Sequence, residues 1–415
     1  MKRSGHRLAA AGSAALVAAS VLAGCGSGDG GITINVYKYP QENFQKIVDG
    51  CNEQADGYRI VYHKLPREAD GQREQMVRRL AAEDTGMDVL ALDVTWTAEL
   101  AKAGWIKEFT GSARSQVENG TLETPLNTAR YEGKLYGAPD NTNVQLLWYR
   151  SDLVPTPPKT WDEMIALGTQ LKQQNKPGLV EAQGKQYEGL VVLFNTLVNS
   201  AGGQILDENG TKAIVDDKAV QALEVLKKFA TSEVADPSFS NFAEDDARLA
   251  MEGGKAAFML NWPYVYAAAQ KLPEFAPNFK WAPYPSIDGG DAKVTVGGIN
   301  YAVSAFTEHS EQSFDAVMCL RSAENQKFAA INDGVPPTIE SVYEDPEMAK
   351  PYPMKDVILE TLKNASVRPR TPAYQNVSTV ISTILSPPAD IDPRPTADRL
   401  RAELQDALDS KGVLP

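Results

Sequence analysis

The stretch "YRIVYHKLPREADGQREQMVRRLAAEDTGMDVLALDV" (residues 58–94) decides the fold. Its first nine residues are rich in β-branched and aromatic side chains and predict a strand, whereas residues 73–86 have the apolar spacing of a helix. Residues 87–94 predict a second strand, which leads towards the helical pattern of residues 95–106. A strand, a helix and a strand in this order predict a right-handed crossover within a largely parallel sheet.

The same alternation continues on both sides of this stretch. Residues 31–40 predict a strand and residues 42–57 a helix, with Gly57 as its stop signal. Similar helix and strand patterns return later in the chain, at residues 218–230, 244–254, 255–260 and 294–304. We find no fixed-period repeat, so the pattern predicts an α/β protein made of two lobes.

The N-terminus has the layout of a secretory signal peptide. Lys2, Arg3 and Arg7 precede an apolar run that ends at Gly24, and "LAGC" (22–25) resembles a bacterial lipobox. We therefore predict a signal peptide at residues 1–24, a lipid on Cys25 and a flexible tether at 25–31. The alternative is a plain cleaved signal with an incidental cysteine.

Size and charge restrict the class of protein. Cleavage after residue 24 leaves a chain well beyond the size at which one hydrophobic core keeps growing, which indicates two domains. A formal net charge of -13 disfavours nucleic acid as a partner, because such binding needs clustered Lys and Arg. No later apolar run is long enough to span a bilayer, so we expect a soluble body anchored at the outer face of the cytoplasmic membrane.

Two cysteines, Cys51 and Cys319, remain after Cys25. Outside the cytoplasm an even pair is most simply a disulfide, although two separate buried thiols are the alternative.

The motifs of common enzymes are absent. His63 and His309 are the only histidines after the signal peptide, and neither belongs to an HExxH motif or to a cluster with zinc spacing. The chain contains no GxSxG elbow and no phosphate-binding P-loop. We therefore predict a binding protein without metal or cofactor. A glycoside hydrolase with two paired carboxylates is the enzymatic alternative.

An aromatic cluster indicates what is bound. In "FMLNWPYVY" (258–266), Trp262 and Tyr264 follow a short apolar strand, and Pro263 prevents the strand from continuing. The two aromatic residues either belong to the core or face a cleft. A cleft of this kind suits a sugar, whose C–H faces pack on aromatic rings while its hydroxyls need polar partners.

Five segments carry a family resemblance. Residues 88–106, 136–153, 244–266, 296–304 and 368–378 are similar, in the same order, to the extracellular solute-binding proteins of carbohydrate ABC importers. The trehalose- and maltose-binding lipoproteins of actinobacteria are the branch that the chain resembles. The resemblance implies a two-lobed clamshell in which each lobe is a mostly parallel sheet flanked by helices. Its implied limits are 32–138 and 290–345 for lobe one, and 139–289 and 346–415 for lobe two.

The resemblance also implies a set of ligand-binding residues. Asp93 follows a strand, and Glu42 lies at the start of the first helix, although each also suits a helix N-terminus. Asn143 stands where the family often has aspartate, and Ile299 replaces an aromatic residue, so one stacking face is expected to be missing. The full set is Glu42, Asp93, Asn141, Asn143, Glu244, Trp262, Tyr264, Gly297, Gly298 and Arg368, in which the two glycines would let backbone amides approach the sugar.

The function implied by the resemblance is capture of a disaccharide and its delivery to an ABC permease. Trehalose is the favoured ligand, followed by maltose-type sugars, and the protein is expected to be a monomer. Family topology also places Cys319 beside the first helix, which would allow a bridge to Cys51. The alternatives are a hydrolase that pairs Asp93 with Glu244, and a surface lipoprotein without a transport function.

Overall fold

The computed structural model describes residues 31–411. Its strands, in chain order, are β1 (Ile32–Lys38), β2 (Tyr58–Lys64), β3 (Val89–Asp93), β4 (Arg130–Tyr131), β5 (Lys134–Leu135), β6 (Ala138–Val144), β7 (Leu146–Arg150), β8 (Leu179–Glu181), β9 (Ala256–Asn261), β10 (Phe279–Ala282) and β11 (Val296–Val303). The predicted signal peptide, the lipidated Cys25 and all but the last residue of the tether lie outside the described residues.

Helices outnumber strands. They are α1 (Phe44–Gln54), α2 (Ala69–Ala81), α3 (Thr97–Lys102), α4 (Gly111–Glu118), α5 (Glu123–Thr128), α6 (Trp161–Gln173), α7 (Glu188–Ser200), α8 (Asp217–Ala230), α9 (Glu244–Glu252), α10 (Tyr264–Ala269), α11 (Ser310–Leu320), α12 (Ala323–Asp333), α13 (Glu340–Glu344), α14 (Lys355–Asn364), α15 (Tyr374–Ile384) and α16 (Pro393–Leu408). The strands and helices predicted around residues 31–106 all form.

The first sheet has the strand order β2-β1-β3-β11-β6. Strands β1, β2 and β3 are parallel, as the strand–helix–strand pattern predicted, but β11 is antiparallel to β3 and β6 is antiparallel to β11. The sheet is therefore mixed rather than mostly parallel. Strands β6 and β11 connect to the second sheet, so no helical crossover within the first sheet sets their direction.

Both faces of the first sheet are buried. In β3, Val89 and Ala91 pack with the residues of α1 and α11, whereas Leu90 and Leu92 pack with those of α2 and α3. This division follows from the two-residue period of a strand, which sends alternate side chains to opposite faces. Because helices cover both faces of the sheet, the side chains at the strand ends are the ones left open to a ligand. Asp93 lies at such a position, at the carboxyl end of the central strand β3.

The second sheet has the order β10-β7-β9-β8 and is mixed as well. Strands β8 and β9 are parallel, while β7 is antiparallel to both of its neighbours, β9 and β10. Only Gln145 separates β6 from β7, so no helix lies between the first sheet and the second. The prediction that each lobe has a mostly parallel sheet therefore does not hold for this sheet either. The chain thus leaves the first sheet after β6, later than the lobe limit predicted at residue 138.

A disulfide joins α1 to α11. The Cys51–Cys319 bridge has an S–S distance of 1.99 Å and a Cα–Cα distance of 5.9 Å, which confirms the predicted pairing. The two helices pack on the same face of the first sheet. The bridge therefore ties the returning segment to the lobe that the chain forms first.

One buried carboxyl group predicts a pH-dependent stability. Glu181 ends β8 fully buried, and neither of its carboxyl oxygens has a hydrogen-bond partner among residues 31–411. Burial, reinforced by Asp236, raises the pKa of Glu181 from 4.5 to about 8. Between these two pKa values the folded protein holds a proton that the unfolded chain releases, so stability falls as the pH rises.

We expect a Glu181→Gln variant to remove this pH dependence. From pH 5.5 to 7, the free energy of unfolding of the wild type should fall by about 2 kcal/mol relative to the variant, since one pH unit corresponds to about 1.4 kcal/mol. Urea unfolding at several pH values measures the difference, and Glu274→Gln, at an exposed residue, is the control. Parallel pH profiles for the wild type and Glu181→Gln would show that Glu181 is ionised in the fold.

Candidate functional site

A cleft with a volume of about 1110 Å³ lies between the two sheets. Its lining comes from the ends of β3 and β6, from β11, and from α7, α9 and α10. All ten residues in the predicted ligand-binding set line this one cleft, namely Glu42, Asp93, Asn141, Asn143, Glu244, Trp262, Tyr264, Gly297, Gly298 and Arg368. Residues far apart in the sequence therefore meet at one site.

Arg368 joins the two halves of the cleft. Its guanidinium donates to Oδ1 of Asp93 at 3.1 Å and to Oε1 of Glu188 at 2.5 Å, and its side chain is only 3% exposed. Burial opposes its charge, but Asp93 and Glu188 together raise the pKa of Arg368. Two of its nitrogens are thus engaged by protein carboxylates, and only the buried Nε lacks a partner within residues 31–411. Arg368 organises the site more than it offers free donors.

Asp93 keeps one oxygen available. Its Oδ1 accepts hydrogen bonds from the backbone and hydroxyl of Thr95, at 3.0 and 2.8 Å, in addition to that from Arg368. Its Oδ2 makes no hydrogen bond with any residue of the described chain, although the residue lines the cleft. The carboxylate is therefore held at one oxygen and can accept from a ligand at the other.

Glu188 is buried beneath Arg368 at the start of α7. Its carboxylate accepts from the hydroxyl of Tyr374 at 2.5 Å and from the hydroxyl of Ser378, both on α15. Burial raises the pKa of Glu188, and Arg368 acts in the opposite direction. The interactions hold together α7, α15 and the segment that carries Arg368.

The two predicted amides are oriented by a buried ion pair. Lys38 donates to Asp140 at 2.5 Å and to the hydroxyl of Tyr301 at 2.9 Å. Asn141 donates to the same Asp140 oxygen at 3.0 Å, and Asn143 donates to Oδ1 of Asn141 at 3.4 Å. Burial lowers the pKa of Lys38, although Asp140 opposes this. This chain of contacts engages both amide atoms of Asn141 and the amide nitrogen of Asn143, so the orientation of each side chain is fixed.

The two glycines have packing roles that the sequence did not reveal. A Cβ on Gly297 would come within 3.1 Å of the Trp262 ring, so the missing side chain makes room for the indole. Gly298 has φ +135°, and a Cβ there would lie 2.4 Å from the backbone oxygen of Asn141. The missing side chains thus make room for protein atoms, and the expectation that the backbone amides of both glycines approach a sugar stays a prediction.

Exposed ion pairs connect the two sides of the cleft at its rim. Both carboxylate oxygens of Glu42 accept from Lys271, at 2.6 and 2.8 Å, and Glu68 accepts from Lys185 at 2.7 Å. Such exposed pairs contribute about 0 to 1 kcal/mol each. In this structure the Glu42 carboxylate contacts Lys271, and its role as a direct ligand residue stays a prediction.

A family assignment follows from comparison with known proteins. The sequence profile of the bacterial extracellular solute-binding protein family matches residues 37–327. The chain belongs to this family. Such membership implies an extracytoplasmic location, and it describes proteins that bind solutes rather than enzymes.

Relatives and solved structures agree with this assignment. A probable ABC transporter-binding protein of Deinococcus radiodurans is 30% identical over 363 residues, which are 81% of this chain and 84% of that protein. A lactose-binding protein of Rhizobium radiobacter is 22% identical and covers 73% of each chain. The structure of maltose-bound MalE3 from T. maritima superposes with a TM-score of 0.84 at 27% identity, covering 90% of this chain and 99% of the other. These comparisons confirm the two-lobed fold.

Sequence reasoning missed many residues that line the cleft of this solute-binding protein, and three of them supply an aromatic ring or a carboxylate at its centre. They are Tyr39, at the end of β1, and Tyr187 and Glu188, at the start of α7. Glu188 had a recognisable signal, because it is a lone acid before the apolar run "LVVLF" and buried acids are almost always paired. The two tyrosines had none, since their positions depend on how distant segments come together.

The described residues add two negative observations. Within residues 31–411, no helix is both long and apolar enough to cross a bilayer. In the same part of the chain, no three His, Cys, Asp or Glu side chains are grouped so that they could hold a metal ion.

Proposed function

We propose that this solute-binding protein captures a disaccharide in the cleft between its lobes and delivers it to an ABC permease. Trehalose is the favoured ligand, followed by maltose-type sugars. The lactose-binding relative and the maltose-bound neighbour support a sugar as the ligand class. The name of the Deinococcus relative supports a role with an ABC transporter.

The observation that carries the proposal is the combination of aromatic and polar groups in one cleft. Tyr39, Tyr187, Trp262 and Tyr264 supply rings, while Asp93 and the two asparagines supply hydrogen-bonding groups. A sugar requires both, because its C–H faces pack on rings and its hydroxyls lie around the edge. The cleft volume of about 1110 Å³ leaves ample room for a disaccharide.

The rim supports a clamshell mechanism. The ion pairs across the cleft, such as Glu42 with Lys271, are exposed and individually weak. These ion pairs favour the closed arrangement of the two lobes but are too weak to hold the lobes closed. A ligand that contacts both lobes binds the closed form better, and it shifts the equilibrium by that difference in affinity.

The sequence supports an anchor for the same function. The "LAGC" segment ends at Cys25, which we propose carries a lipid at the outer face of the cytoplasmic membrane. Residues 25–31 would then act as a tether that lets a monomeric body reach the permease.

Titration calorimetry with trehalose, maltose and sucrose tests the proposal. We expect at least one disaccharide to bind the wild type, and we expect Trp262→Ala to weaken this binding about tenfold or more, because it removes an apolar surface for the sugar ring. Trp105→Ala, which changes a half-buried tryptophan outside the cleft, should keep wild-type affinity. X-ray scattering should show a smaller radius of gyration with bound sugar.

Two results would contradict the proposal. Equal affinity in the wild type and Trp262→Ala would remove the sugar from the cleft. Recovery of cleaved sugar after incubation with excess disaccharide would favour the hydrolase that pairs Asp93 with Glu244. An operon that encodes a neighbouring permease would separate a transport receptor from a surface lipoprotein without a transport function.

A further inference from the structure

The cleft has a marked negative charge. Nine Asp or Glu side chains line it, against five Lys or Arg side chains. Four of the five basic residues are already paired with cleft carboxylates, namely Arg67, Arg248, Lys271 and Arg368. The fifth, Lys64, is exposed. An anionic ligand would therefore meet few basic groups that are free to bind it.

Glu244 differs from the other cleft carboxylates. Each of the other eight makes an ion pair or accepts a hydrogen bond, and even the two without a basic partner are satisfied in this way. Asp246 accepts from the backbone of Ala243 at 2.9 Å, and Asp333 accepts from the amides of Gln41 and Asn43. The half-buried Glu244 side chain makes no ion pair with residues 31–411. Burial raises the pKa of Glu244, and the neighbouring Tyr187 hydroxyl and Trp262 indole act in the opposite direction. A carboxylate in such a position lacks the cationic partner that a buried charge normally has.

Aromatic residues lie beside this carboxylate. Tyr187, Trp262 and Tyr264 line the same part of the cleft, and the hydroxyl of Tyr264 donates to Asp245 at 3.0 Å. Tyr187 is 6% exposed, and its buried hydroxyl has no hydrogen-bond partner in the described chain. Burial, followed by the neighbouring Glu244 carboxylate, raises the pKa of the Tyr187 phenol. An acid that lies among aromatic rings and has no basic partner is a suitable environment for a cation.

We propose that the cleft recognises a sugar bearing a protonated amino group, which binds Glu244. The inference rests on the proposed sugar-binding function and specifies the charge class of the ligand. A neutral sugar would leave the Glu244 charge uncompensated once closure excludes water, whereas an ammonium group neutralises it and donates charge-assisted hydrogen bonds. The rings of Tyr187, Trp262 and Tyr264 add attraction for the same cation.

A panel of related ligands tests this inference. The probes are trehalose and maltose, their derivatives with one hydroxyl replaced by an amino group at each position in turn, and their monophosphates. At neutral pH and low salt, we expect one amino derivative to bind about tenfold or more tightly than its neutral parent. The monophosphates should bind about tenfold or more weakly than the parent. Added salt should reduce both differences, because they arise from charge.

A matched pair of variants assigns the effect to one residue. Glu244→Gln keeps the shape of the side chain and removes its charge, so the ratio of the affinities for the amino derivative and for its neutral parent should fall to about onefold. Asp356→Asn removes one negative charge at an exposed residue on α14, outside the cleft, and should leave the preference unchanged. Circular dichroism checks that both variants are folded.

The outcomes separate this inference from the proposed function. If neutral disaccharides bind but no amino derivative binds more tightly, the inference is overturned and the sugar-binding proposal stands. If an amino derivative binds more tightly and Glu244→Gln retains that preference, the inference is also overturned, because another group recognises the amine. If no sugar of any charge binds, the proposed function itself fails.

Discussion

Replacing Arg368 with methionine is expected to destabilise the fold by about 3 to 5 kcal/mol as well as to weaken ligand binding. Arg368 is buried and paired with both Asp93 and Glu188. Without the guanidinium, two carboxylates that line the cleft lose their partner, and Glu188 is itself buried. Urea unfolding measures the free energy, and calorimetry with the best disaccharide measures the affinity.

Two further variants identify the cause. Arg370→Met removes the same charge two residues later, at an exposed side chain that makes no ion pair with residues 31–411, and should change stability by less than about 0.5 kcal/mol. In the Arg368→Met background, Glu188→Gln should recover part of the lost stability, because the uncharged amide can still bond to Tyr374 and Ser378. Equal stabilities of Arg368→Met and Arg370→Met would show that the buried ion pairs contribute nothing.

The architecture of the first lobe could be predicted because its signals are local. The period of two in β3 and the helical period in α2 are properties of neighbouring residues, so the sequence indicates them directly. The direction of β6, β7 and β11 could not be predicted in this way. It depends on which distant strands each segment pairs with, such as β11 with β3 or β7 with β9, and such pairings have no local pattern.

The same limit applies to the candidate site, where local motifs could be predicted but contacts between distant residues could not. Family resemblance found residues that line the cleft, because the motifs around Asp93, Trp262 and Arg368 are contiguous in the sequence. It did not reveal the interactions among them. The pairing of Arg368 with Glu188 depends on a contact between residues 180 positions apart, and the space that Gly297 leaves for Trp262 depends on residues 35 positions apart. Packing therefore assigns roles that residue type alone leaves open.

Removing the Cys51–Cys319 bridge is the second change with a large expected effect. A double variant, Cys51→Ala with Cys319→Ala, should lower the free energy of unfolding by about 2 to 5 kcal/mol. The bridge spans a sequence separation of 268 residues, and a cross-link over so long a loop removes much conformational freedom from the unfolded chain. Denaturant unfolding of the variant and of the wild type gives the difference.

The reduced wild type is the matched control for this variant. Unfolding with a thiol reductant should shift its midpoint by a similar amount, whereas the double variant should not respond to the reductant. Neither cysteine lines the cleft, so the affinity of the folded double variant for a disaccharide should equal that of the wild type. The bridge would then stabilise the first lobe without contributing to recognition. Two titratable thiols in the denatured, unreduced wild type would contradict the bridge itself.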